Sequence, residues 1–238
     1  AYNYCVNNPV MFVDPDGRKI EGITKQDIEY LKEDIYTVLA DDKFIRIREL
    51  IKIKGRTFKK IKKEELDIAL SDIELSEDEF AYISMVTNTI NSKYIHKVEY
   101  IQGEYVSSEG SMAVANHMNN TLGNNIGQKM LAPNGLLSSA WISNYGNGVN
   151  VPIYNGSHSF INLRNGLQVS ERAIISGHEV FGHGVASAKQ LSVNENYENA
   201  IRADNLIRRI IGLPQRDGSD HGGKSIQHRL PYDLPLLE

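Results

Sequence analysis

The sequence predicts an α+β fold, in which a small sheet packs against a polar-bearing helix and a helical region precedes it. Three observations predict this. Apolar stripes at helical spacing, opened by capping residues, mark helices at 24–40, at 77–91 and from Ser192 to about Ile211. Short alternating runs bounded by Asn, Gly and Pro mark strands. One further helix, apolar nearly all round, contains His178, Glu179 and His183, and a helix of that pattern is buried.

Composition sets limits on function. The chain has 238 residues, enough for one large domain or a domain with an appendage. It is 41% hydrophobic and 24% charged, ordinary for a globular protein. No apolar run approaches the roughly 20 residues of a membrane span, and no signal peptide is read at the start. Cys5 is the single cysteine, which excludes an internal disulfide and any Cys-rich zinc site. A zinc ion would therefore be held by histidine and carboxylate. The net charge of −4 gives no global pull toward nucleic acid.

The first helix opens on Thr24 with Asp27 and buries Ile28, Leu31, Ile35, Val38 and Leu39. Residues 43–63 then hold ten Lys or Arg against Glu49, a local charge of +9. Ile45, Ile47, Ile51 and Ile53 alternate there, which predicts strands around Gly55. Such a run reads as a solvated face, or as a contact surface for an acidic partner. The second helix opens on the Ser76–Glu79 capping box, with Phe80, Ile83, Val86 and Ile90 on one side.

A strand is expected from Tyr94 to Ile101 and a helical piece around Met112–Met118. His117 in that piece reads as a surface histidine. Two strands, 140–145 and 149–154, are expected to flank a turn at Asn144, Gly146, Asn147 and Gly148. A third at 159–164 is either an ordinary sheet strand or an edge that binds extended peptide beside the following helix. That helix starts at Ser170 with Glu171 in its first turn. Ser192 and Glu195 form the next capping box, and Gly212-Leu213-Pro214 stops the last helix.

The chemistry centres on Gly177-His178-Glu179-Val180-Phe181-Gly182-His183-Gly184. Neutral imidazoles are the commonest zinc ligands, and an adjacent carboxylate can act as a base. In the H-E-x-x-H motif the histidines lie four apart, about 40° around a regular helix; here they lie five apart, about 140°. Two histidines so placed share one metal only if a one-residue π bulge brings them together. Gly182 is where backbone freedom would help. The rival arrangement keeps the helix regular and makes Glu179 and His183 the ligands. Burial of three such groups in an apolar helix requires that they be paired or ligating.

This stretch resembles H-E-x-x-G-H, the zinc motif of dipeptidyl-peptidase III-type metallopeptidases, over six residues. The resemblance implies His178 and His183 as ligands and Glu179 as general base. In thermolysin-like proteins a glutamate on the next helix is the third ligand, which points to Glu198, with Glu195 in reserve. Glu198-Asn199-x-Ile201-Arg202 followed by Gly212-Leu213-Pro214-x-Arg216 also resembles metallopeptidase toxins attached to Rhs cores, related to NleD-type effectors. That family has H-E-x-x-H where this chain has one residue more. Exposure of Glu198 in an ion pair with Arg202 is the competing arrangement. His221, His228 and Tyr232 are candidates for steadying an oxyanion, or plain loop residues.

Residues 1–18 contain Tyr2, Tyr4, Asn7-Asn8-Pro9 and Asp14-Pro15-Asp16-Gly17. They resemble the end of an Rhs-repeat core, after which that family carries a variable toxin. The resemblance implies three segments: a core remnant at 1–18, a helical and basic region at 19–105, and a zincin-like metallopeptidase domain at 106–238. It further implies secretion, delivery into a target cell, a target-cell protein substrate, and a neutralising immunity protein. Two other readings remain: a contact-acting domain using the basic 43–63 face, and a metal-dependent nuclease built on His178, His183, His221 and His228.

Overall fold

The structure, a computed structural model, describes residues 20–123, 125–163, 167–218 and 234–235. The expected core remnant at 1–18 lies outside the described residues, as do His221, His228 and Tyr232.

The fold is α+β around one mixed six-stranded sheet of order β2-β3-β1-β4-β6-β5. The strands are β1 (Ile20–Gly22), β2 (Ile53–Lys54), β3 (Thr57–Phe58), β4 (Ile95–Ile101), β5 (Gly148–Ile153) and β6 (Gly156–Asn162). β4 runs parallel to both β1 and β6; the other neighbours are antiparallel. Strands from both sides of residue 105 therefore share one sheet. No helix among the described residues is long and apolar enough to cross a membrane.

One sheet face is covered by α1 (Lys25–Val38), α2 (Glu77–Ile90), a long helix spanning 169–188, and the helix Val193–Ile210. Ile28, Leu31, Ile35, Tyr82, Val98, Ile161, Val180, Phe181 and Leu206 form the core between them. A smaller core on the opposite face joins Ile101, Val114, Ile142, Val151 and Phe160 under helix Ser108–Leu122. The capping boxes Thr24–Asp27, Ser76–Glu79 and Ser192–Glu195 all form. Buried Asp34 ties the layers together: it accepts from Tyr100 Oη at 2.6 Å, Arg172 Nε at 2.6 Å and Ser176 Oγ at 2.5 Å.

Two expectations are corrected and one open alternative is decided. Residues 45–50 form a helix, and the strands flank only the Gly55 turn, at 53–54 and 57–58. Arg48 folds its guanidinium back onto the carbonyls of Leu39, Ala40 and Asp41, and this anchors the helical geometry. Residues 139–143 are also helical, capped by Ser138, so the hairpin is not at 140–154. It joins β5 to β6 through Tyr154 and Asn155, with Asn155 at φ 59°; Asn155-Gly156 carries the turn. Finally, β6 is paired on both sides by β4 and β5, so it offers no edge to a peptide. The edge beside the long helix is β5.

Candidate metal centre

The helix 169–188 is α-helical over Val169–Ser176, π-helical over Gly177–His183 and α-helical again over Gly184–Ala188. The N–H of Gly184 donates to the carbonyl of Glu179, five residues back. This is the bulge that the five-residue histidine spacing demands. It puts the two imidazoles face to edge, with centroids 4.8 Å apart and planes at 83°. One ligand atom from each of His178, Glu179 and His183 lies within 4.8 Å of the others. Only 7%, 5% and 9% of these residues' surfaces are exposed.

A π turn leaves backbone acceptors poorly served, and here side chains from neighbouring elements serve them. Ser159 Oγ donates to the Glu179 carbonyl at 2.9 Å, and Asn199 Nδ2 to the Gly182 carbonyl at 2.8 Å. Buried carbonyls without such donors are costly. Gly182 itself is required for proximity rather than freedom: a Cβ there would stand 2.6 Å from Ala200 Cα on helix Val193–Ile210. Gly148, first residue of β5, works the same way. A Cβ at 148 would meet Glu179 Oε1 at 2.5 Å and Cγ at 2.6 Å. The edge strand is thus pressed onto the glutamate.

Both histidines are steadied through Nδ1 by helix Val193–Ile210. His183 Nδ1 bonds Asn196 Oδ1, and the ring of Tyr197 stands edge-on to it at 5.9 Å. His178 Nδ1 lies 3.5 Å from Asp204 Oδ2, a charge contact longer than a formed hydrogen bond. Asp204 is 1% exposed and is held by Arg208 and, at 2.8 Å, by Arg216. Burial acts to raise its pKa, but the neighbouring His178, Arg216 and Arg208 outweigh it and hold the carboxyl well below the usual range. Asn205 pins the backbone of Arg216 with two bonds of 2.8 Å. The return turn at Gly212, with φ 73°, delivers Arg216 to this position.

The donor set fits a divalent ion of borderline softness. His183 spends Nδ1 on Asn196 and His178 turns Nδ1 toward Asp204, so Nε2 is the atom of each ring that would hold a metal. Glu179 Oε2 is buried without a hydrogen-bond partner among the described residues, a costly state unless something occupies the space beside it. Burial pushes the Glu179 carboxyl up to about 7, against the pull of the His178 and Arg216 charges.

The remaining candidates among the described residues are not brought to this centre. Glu198 lies 3.8 Å from Arg202 and is 39% exposed at its side chain. On a regular helix it sits about 160° around the axis from Asn196 and Ala200, which face the π turn. Glu195 spends its carboxylate on the N-terminal cap, accepting from Ser192 N at 3.0 Å and Oγ at 2.6 Å. His117 is half-buried on helix Ser108–Leu122, and burial lowers its pKa. Sequence reasoning missed Asn196, Asp204 and Gly148. The signal for the first two was that they share a helical stripe with Ala200, Ala203 and Ile207.

Compared with known proteins, the chain matches no family model, no curated protein and no solved structure.

Proposed function

We propose that the chain is a zinc-dependent metallopeptidase of zincin-like architecture, and that it acts as the toxin payload of an Rhs-type protein. The observation that carries the enzymatic part is the π turn, which gathers two imidazoles and a carboxylate into one buried cluster. His178 and His183 would hold the metal through Nε2. Zinc bound there supplies a Lewis acid that polarises a carbonyl and makes a water acidic near neutral pH. Glu179 then takes a proton from the attacking water on its unpartnered Oε2 and delivers it to the leaving amine. The edge strand β5, pressed against Glu179, is the strand on which an extended peptide would add.

The toxin assignment rests on the resemblance of residues 1–18 to an Rhs core terminus and of 198–216 to Rhs-linked metallopeptidases. With it come secretion by the producing cell, delivery into a target cell, a protein substrate there, and an immunity protein that spares the producer.

Glu179→Gln tests the reading. It should abolish toxicity on expression in a target cell, and abolish the new N-termini that the wild-type chain creates in a cell lysate, while metal content stays unchanged. Full toxicity and an unchanged set of cleavages would refute the peptidase assignment.

A further inference from the structure

A continuous run of side-chain hydrogen bonds leaves the π turn and returns to it. It begins at the Glu179 carbonyl, which accepts from Ser159 Oγ at 2.9 Å. Ser159 Oγ meets Asn150 Nδ2 at 2.8 Å. Asn150 Oδ1 meets Ser187 Oγ at 2.8 Å, and Ser187 Oγ meets Asn196 Nδ2 at 3.0 Å. Asn196 Oδ1 then meets His183 Nδ1. The run crosses four elements: β6, β5, the end of the 169–188 helix and the start of helix Val193–Ile210.

The direction of every link is forced by its first member. A backbone carbonyl only accepts, so Ser159 spends its one hydroxyl proton on Glu179. Ser159 must then accept from Asn150, which presents its amide nitrogen there and its oxygen to Ser187. Ser187 spends its proton on that oxygen and accepts from Asn196. Asn196 is left with its oxygen toward His183, and an amide oxygen only accepts.

We propose that this chain fixes His183 as the Nδ1–H tautomer, so that its Nε2 lone pair is presented to the cluster of His178 and Glu179. Asn150 and Ser187 are positioning residues that act through Asn196. The tautomer follows from the hydrogen-bond directions alone; its use in holding a metal rests on the function proposed above. The arrangement also couples the edge strand to the site, because Asn150 belongs to β5. A ligand that shifts β5 acts on the ring of His183.

The test uses the full chain labelled with ¹⁵N-histidine, freed of metal with a chelator and examined above the pH at which the rings titrate. Two-bond ¹H–¹⁵N spectra should show His183 protonated at Nδ1 in the wild type. Ser187→Ala cuts the chain and leaves the Asn196 amide free to turn, so the two tautomers should mix. Zinc affinity, measured by competition with a chromophoric chelator, should fall about tenfold, the lower end for an outer-shell loss. Asn150→Asp keeps an acceptor for Ser187 and breaks only the Ser159 link, so Nδ1–H should persist. An Nε2–H wild type would overturn the proposal. So would a folded Ser187→Ala chain with wild-type tautomer and zinc affinity within twofold, or an Asn150→Asp chain that loses the Nδ1–H form. If the wild type binds no zinc, the metal reading fails by itself and the tautomer spectra alone decide this proposal.

Discussion

The π turn and the basic segment 43–63 handle charge in opposite ways. Around the π turn, buried charged and polar side chains are met by specific partners, Asp204 by His178, Arg208 and Arg216 and His183 by Asn196, while Glu179 Oε2 is left for the site itself. In the basic segment four cations each meet a single acid, and Arg48 meets backbone carbonyls. Lys43 pairs with Glu79, Arg46 with Asp72, Arg56 with Glu21 and Lys62 with Glu65, at 2.7, 3.0, 2.9 and 3.4 Å. Those acids all come from outside the segment, so among the described residues at least four of its ten cations are offset and the patch is weaker than the local sequence charge implies. Exposed pairs of this kind contribute roughly 0–1 kcal/mol each. Buried ones fix geometry, and losing one partner costs much more. The difference teaches where to look for chemistry: the highest density of like charge is a surface property, while the site is marked by few charges with many partners.

Substitutions should separate the two regions sharply. The largest effect is expected for Gly148→Ala. The new methyl would occupy the space of the Glu179 carboxylate, so cleavage activity should fall by about a hundredfold or more, on the order of 2.7 kcal/mol in barrier. The histidines are untouched, so zinc content should hold. Assaying cleavage and bound zinc on one preparation checks both, and an active Gly148→Ala enzyme would remove Glu179 from the chemistry.

Gly182→Ala comes next. A methyl 2.6 Å from Ala200 Cα must push two helices apart, at about 1–3 kcal/mol. Urea unfolding would register this as a lower midpoint. An unchanged midpoint would mean that the glycine serves backbone freedom and not close packing.

The smallest effect on folding is expected in the basic segment. Reversing Lys59, Lys60, Lys62 and Lys63 to Glu should change stability by at most about 0.5 kcal/mol per site and leave cleavage intact. Association with an acidic immunity protein, followed by stopped flow at low salt, should slow by about tenfold or more. Unchanged association would move the partner's contact to the cleft over His178 and His183.

How far the sequence reached can be judged from the same residues. The π turn was legible because five-residue spacing is geometrically incompatible with one metal on a regular helix, which leaves a bulge as the way to unite the histidines. The capping boxes were legible because each is a local device. The packing role of Gly182 was not, since it depends on Ala200 from a different helix. Gly148 escaped for the same reason, and its assignment to a turn hid the edge strand. The hairpin was misplaced because Asn144–Gly148 outweighed the shorter Asn155-Gly156 signal. Asp204 and Asn150 carry no local pattern; they gain meaning only when helix and strand meet.

The central claim is that the π turn makes one metal centre from His178 and His183. Bound zinc per chain, measured by mass spectrometry on purified protein after dialysis, tests it most directly. The account predicts one zinc in the wild type and none in His178→Ala or His183→Ala. Because Glu198 pairs with Arg202 at 3.8 Å and faces away from the cluster, Glu198→Ala should keep its zinc. A folded wild type without zinc, or a His183→Ala chain that retains it, would contradict the account.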